Sequence, residues 1–156
     1  MFLRTSSRFE GIIYVLPYRA MACPFFFPDV RLETNSWIVP PRLPLGDPYT
    51  GECRARETVY RPDEARLREN CNVGYCRDRC DRFPQEAPAD AIRFHIAGET
   101  NSLIQIQFVF EKDCWPQSHG RLELGCAARE FTSGPEGVVL RKQALAFAES
   151  YLRRRD

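Results

Sequence analysis

Seven prolines fall between residues 24 and 62, and they set the first limit on what this chain can build. Pro24, Pro28, Pro40, Pro41, Pro44, Pro48 and Pro62 each fix φ and remove a backbone donor, which argues against a long helix or a central strand. Residues 23–62 therefore read as mostly loop. So long a loop inside a compact domain needs something other than a regular hydrogen-bond ladder to hold it. The sequence offers two clamps: packing of Phe25, Phe26, Phe27, Trp37, Ile38 and Val39, and a metal or cluster held by cysteines.

The remainder of the chain is more regular. In residues 91–125, Ile92, Phe94 and Ile96 alternate with Arg93 and His95, and Ile104, Ile106, Phe108 and Phe110 alternate with Gln105, Gln107 and Val109. This period of two predicts half-buried antiparallel strands joined by a hairpin loop at 98–102. Leu122 and Leu124 predict a third strand after a loop at 113–120. Behind Ser133-Gly134-Pro135, residues 137–155 carry Val138, Leu145, Phe147, Ala148, Tyr151 and Leu152, the pattern of an amphipathic helix of about five turns. Nearer the N-terminus, Pro62 followed by Asp63 and Glu64 predicts a short helix start, with Cys71 at its end and a second helical turn at 75–83. The expected fold is α+β, with an irregular Cys/Pro-rich N-terminal half packed on a small antiparallel sheet and a C-terminal amphipathic helix.

A chain of 156 residues, 44% hydrophobic, can bury a real core as one domain. We read residues 21–156 as that domain, with 21–90 as the Cys/Pro-rich half and 91–156 as the sheet plus helix. Residues 1–20 read as a non-native extension or disordered leader, with Met21 as the expected start. A signal peptide fits them poorly, because Glu10 precedes the short apolar stretch and Pro17 and Arg19 interrupt its exit. The expected location is cytoplasmic; the minor alternative is an exported lipoprotein lipidated on Cys23.

The 22 basic and 21 acidic residues leave a net charge of +1, so no global field draws the chain to nucleic acid or anionic lipid. No apolar run is long enough to span a membrane. All basic residues except Lys112 and Lys142 are arginines, and they are scattered rather than striped. No P-loop, dinucleotide fingerprint, HExxH pair or G-x-S-x-G elbow is present, and an enzyme is not the favoured class.

The chemistry of the chain lies in its seven cysteines. Cys23, Cys53, Cys71, Cys76 and Cys80 belong to the irregular half, whereas Cys114 and Cys126 border the strands. On one continuous helix Cys71 and Cys80 would lie on opposite faces, so they converge only if the chain bends, which Gly74 permits. Cys76 and Cys80 share a face if their turn is helical. An iron–sulfur cluster, a 4Fe-4S cluster for instance, takes four thiolates, often from irregular loops beneath apolar cover. Pro24 and the phenylalanines after Cys23, and Phe83 and Pro84 after Cys80, supply that cover. The expected ligands are Cys23, Cys53, Cys71 and Cys80, with Cys76 as the substitute for any one of them. Structural zinc is the close alternative, since four thiolates also make a closed tetrahedral site. Unliganded buried thiols and disulfides remain as further readings. Were the chain exported, Cys114 and Cys126 could pair across their loop.

Two weaker features are also present. Cys114 and His119 in one loop could form a nucleophile pair, though structural roles are favoured. The polar strand positions Arg93, His95, Gln105, Gln107, Arg121 and Glu123 could meet a partner, but their mixed charge suits an ordinary solvent-facing surface.

The segments MACPFFFPD from Met21, CNVGYCRDRCDRFP from Cys71 and FVFEKDCWPQSHGRLELG resemble a family of small bacterial proteins with cysteine motifs. The resemblance implies no activity and supports only the start at Met21. Taken together, the expectation is a small protein that binds an iron–sulfur cluster for electron transfer, redox sensing or structure. The alternative is a zinc-binding or metal-free protein-interaction module.

Overall fold

In the computed structural model, residues 22–33 and 44–155 are described. The readings made for residues 1–20, for Met21 as the start and for packing by Trp37, Ile38 and Val39 lie outside them. The elements run β1 (Phe26–Arg31), β2 (Tyr49–Cys53), α1 (Glu64–Arg66) continued as a π-helical turn (Leu67–Cys71), β3 (Ala91–Glu99), β4 (Leu103–Lys112), β5 (Trp115–Gly125), β6 (Phe131–Ser133) and α2 (Val138–Arg155). The architecture is α+β, as the residue pattern predicts.

The larger sheet is antiparallel in the order β3-β4-β5-β6. Its period-two alternation turns Ile92, Phe94, Ile104, Ile106, Phe108, Leu122 and Leu124 into the core, while His95, Gln107 and Arg121 stand opposite one another on the other face. Helix α2 packs against β1, β3 and β4. Ala144 and Ala148 are fully buried on it, and Phe147 stacks on Phe94 with ring centroids 5.7 Å apart. Small helix residues let the backbone approach the sheet closely, and the aromatic pair fills the space beside them. Among the described residues no helix is long and apolar enough to cross a membrane.

Three parts of the fold differ from expectation. The proline-rich half is not all loop, because β1 and β2 pair as an antiparallel ribbon, Phe26 opposite Cys53 and Arg31 opposite Tyr49. Its register shifts between Pro28 and Val30, so the proline occupies a bulge, one of the few strand positions that tolerate a missing N–H. The predicted loop at 113–120 is strand instead. The chain reverses at Asp113 and Cys114, with φ of 51° and 66°, as a two-residue hairpin requires. Pro116 then lies opposite Glu111 beside the register shift that follows Phe110. Residues 115–119 are all exposed, which removes the apolar alternation that would have marked them as strand. At 75–83 the expected helical turn is replaced by two hydrogen-bonded turns, Cys80 N–H donating to the Cys76 carbonyl at 2.8 Å and Phe83 N–H to the Cys80 carbonyl at 3.1 Å.

Candidate metal centre

Four separate pieces of backbone carry the cysteines of the irregular half. Cys23 follows Ala22, whose N–H and C=O both bond to Ile92 on β3 at 2.9 Å. That bridge pins the chain to the edge of the large sheet. The Cys23 N–H donates to the Cys71 carbonyl at 3.2 Å. Gln143 of α2, fully buried, donates through Nε2 to the carbonyls of Cys23 at 2.8 Å and Phe26 at 2.7 Å. Cys53 ends β2, where its N–H and C=O are paired with Tyr60.

Cys71 closes the π turn after α1, a helix capped by the Asp63 carboxylate accepting from the Arg66 N–H at 2.9 Å. The next residue, Asn72, is 1% exposed. Its Oδ1 accepts from the Tyr49 N–H and its Nδ2 donates to the carbonyls of Tyr49 and Leu67. One amide side chain thus joins the start of β2 to the turn that carries Cys71. The bend expected at Gly74 is present: Gly74 has φ of 70° and Tyr75 of 51°. It brings Cys76 and Cys80 back toward Cys71. Both neighbours of Cys76 are anchored to the large sheet, Tyr75 OH donating to Glu111 at 2.9 Å and Arg77 Nε to Asp90 at 2.7 Å.

The result is one cavity lined by Cys23, Cys53, Cys71, Cys76 and Cys80 together with Phe25, Phe26, Phe83 and Arg82. Its volume is about 20 Å³ and its wall is apolar. Phe25 and Phe83 meet edge to face with centroids 5.4 Å apart. All four expected ligands and the expected substitute share this cavity. Among the described residues no group of three or more His, Cys, Asp or Glu side chains converges as it would on a single metal ion.

The thiols do not share one electrostatic environment. A hydrogen bond between Cys23 and Cys76 holds the Cys23 pKa well above its usual value, and burial adds to the rise. Burial, then the nearby sulfurs of Cys53, Cys76 and Cys80, pushes Cys71 up. Cys76 moves the other way, because it receives the Cys23 hydrogen bond and feels the Arg79 charge. Arg66 points Nη1 at the Cys80 sulfur at 3.6 Å and pairs with Asp81 at 2.6 Å. Beside them, Arg82 Nε is a buried donor with no hydrogen-bond partner, although its Nη2 reaches the Thr58 carbonyl at 3.4 Å and its guanidinium lies 4.4 Å from the Tyr60 ring centre.

The other two cysteines lie elsewhere. Cys114 is exposed in the β4–β5 turn and Cys126 follows the far end of β5. An eleven-residue strand separates them, roughly 35 Å at about 3.3 Å per residue. A disulfide between them, which needs Cα atoms within about 7 Å, is excluded. The Cys114–His119 pair is likewise broken up, since His119 lies within β5 opposite Val109. The polar contributors Asn72, Gln143, Arg66 and Arg82 escape sequence reading; only the apposition of distant segments reveals them. Comparison with protein-family models, with curated proteins and with solved structures finds no match.

Proposed function

We propose that this protein binds an iron–sulfur cluster in the five-cysteine cavity, for electron transfer, redox sensing or local structure. The observation that carries the proposal is that five thiols from four backbone segments line one apolar, aromatic-walled cavity. The donor set suits such a group: a cluster takes four thiolates, each on a different iron, with apolar groups and N–H donors around its sulfurs. Cys23, Cys53, Cys71 and Cys80 are the proposed ligands, and Cys76 is within the same wall to replace one. Arg66, whose Nη1 donates to the Cys80 sulfur at 3.6 Å, puts positive charge beside one of the proposed ligands. When bound, a cluster would supply one-electron chemistry. The protein's own part is to hold the thiols, exclude water with Phe25, Phe26 and Phe83, and balance negative charge.

One observation favours zinc as a second reading. A cavity of about 20 Å³ has room for a single ion or water.

Anaerobic purification followed by a visible spectrum and by iron, acid-labile sulfide and zinc analysis decides between them. The expected protein is brown and contains iron and sulfide. Cys71→Ser or Cys80→Ser is expected to lose the colour, and Cys126→Ser to keep it. A colourless protein with stoichiometric zinc selects the second reading. A metal-free protein would sink both and leave the interaction-module alternative.

A further inference from the structure

The cavity thiols meet in pairs, not around a point. Among the described residues no three ligand side chains converge, yet the Cys23 and Cys76 side chains are in direct hydrogen-bond contact. One strand edge fixes both backbones for that contact. Ala22 bonds Ile92 through both its N–H and its C=O, and the Tyr75 N–H donates to the Asp90 carbonyl at 3.2 Å. These anchor points are two residues apart where the chain enters β3, roughly 7 Å at about 3.3 Å per residue. Because the Ala22 bridge is antiparallel, the chain leaves Ala22 toward the Asp90 end, and Cys23 comes up beside Tyr75 and Cys76. Gln143 then holds the Cys23 carbonyl and Asp90 holds Arg77, so each cysteine is tied on both sides. Cys80 also touches Cys76, but from four residues along one hydrogen-bonded turn. At that spacing Cβ atoms stand about 5–6 Å apart, further than the roughly 3.5–4.5 Å that a disulfide spans.

We infer that Cys23 and Cys76 are a dithiol that hydrogen peroxide closes to an intrachain disulfide in the metal-free protein. This goes beyond the cluster reading and does not rest on it. A peroxide oxygen bonds to one thiol sulfur as the O–O bond breaks, giving a sulfenic acid and one water. The second sulfur attacks the first; the S–S bond forms as the S–O bond breaks, and hydroxide leaves with the second thiol's proton as another water. The two thiols lose two electrons and the peroxide gains them. The cavity, about 20 Å³, has room for one water-sized molecule, which fits hydrogen peroxide and shuts out bulkier thiol oxidants. Cys53 and Cys80, part-exposed in the same wall, mark the side on which it faces solvent. The S–S bond takes Cys23 out of the proposed ligand set, so oxidation and metal loading exclude each other.

The test is a disulfide map of the full chain. Protein that has been reduced and stripped of metal with a chelator is desalted anaerobically, treated with an equimolar amount of hydrogen peroxide, unfolded in iodoacetamide and digested with trypsin. Titratable thiols are expected to fall by two per chain from seven, and dithiothreitol to restore them. The peptide 20–31, which carries Cys23, is expected to be joined to the peptide 69–77, which carries Cys71 and Cys76, with fragmentation placing the bond on Cys76. Cys76→Ser is expected to lose the joined peptide and Cys71→Ser to keep it. Because the wild-type map decides the matter, a variant that fails to fold changes nothing. A bond from Cys23 to Cys71, a Cys76–Cys80 bond as the main product, or Cys23 and Cys76 recovered alkylated or as sulfinic acids overturns the inference. Iron and sulfide analysis before stripping reports on the cluster separately. An iron-bearing protein whose stripped form makes no Cys23–Cys76 bond overturns the inference alone, and an iron-free protein that makes it sustains the inference while the cluster reading falls.

Discussion

At the scale of single residues, the cysteine half is held together by few polar groups. Asn72 satisfies three backbone groups at once, so truncating it would strip the Tyr49 N–H of its side-chain acceptor and the Tyr49 and Leu67 carbonyls of one donor each, although the Asn72 backbone N–H would still reach Leu67. Asn72→Ala is expected to cost roughly 1–3 kcal/mol in urea unfolding and, on the proposed cluster reading, to loosen Cys71 enough to lower iron retention. Asp47 is the counterpart under α2. Burial works against its charge, yet the Ser150 hydroxyl and the Arg153 and Arg154 guanidiniums bring its pKa below the ordinary carboxylate value. A carboxyl depressed in the folded state stabilises the fold above its unfolded pKa, and that contribution is lost as pH falls through the folded one. Wild type is expected to exceed Asp47→Asn in stability at neutral pH, and thermal unfolding between pH 3 and pH 7 should show the gap closing on the acid side. None of these residues announces itself in the sequence. Cysteine does, since its chemistry is restricted to a few roles. An asparagine 23 positions from its partner or a glutamine 120 positions from its own reads only as a polar residue until the two segments are brought together.

At the scale of elements, legibility followed the hydrophobic period. β3, β4, the core half of β5 and α2 were readable because one face of each is buried and the other wet. The β1–β2 ribbon was hidden by its own prolines, and the first half of β5 by a lack of apolar residues, although Asp113 and Cys114 turn the chain tightly enough to register it against β4. The ribbon depends on close approach at Gly51, where a Cβ would sit 2.1 Å from the Phe27 carbonyl oxygen and 2.7 Å from the Phe26 ring. The backbone itself is the obstacle, so no side-chain rotation relieves it. Gly51→Ala is expected to destabilise by about 1–3 kcal/mol. Because the same strand ends at Cys53 and the same ring lines the cavity, the variant would, on the proposed metal reading, also bind metal more weakly, as measured by competition with a chelator.

At the scale of the whole molecule, the cysteine-bearing half is sewn to the sheet on several sides. Ala22 bonds β3, Tyr75 and Arg77 reach Glu111 and Asp90, and Gln143 bonds the Cys23–Phe26 turn. Uptake of the proposed metal group by such a framework would be coupled to protons. Cys23 and Cys71 are held protonated at neutral pH by their surroundings, whereas a metal takes the thiolate. Loading is therefore expected to release protons and to strengthen as pH rises. Proton release measured in weakly buffered solution during metal addition checks this, and affinity independent of pH between 6.5 and 8.5 would contradict it.

Gln143 also imposes an order in time. Its two hydrogen bonds fix the Cys23 turn from a helix made 120 residues later, so on the ribosome the first thiol of the site emerges long before the side chain that holds it. The site can be completed only once α2 has left the exit tunnel and docked. A metal delivered during synthesis would meet an unfinished cage.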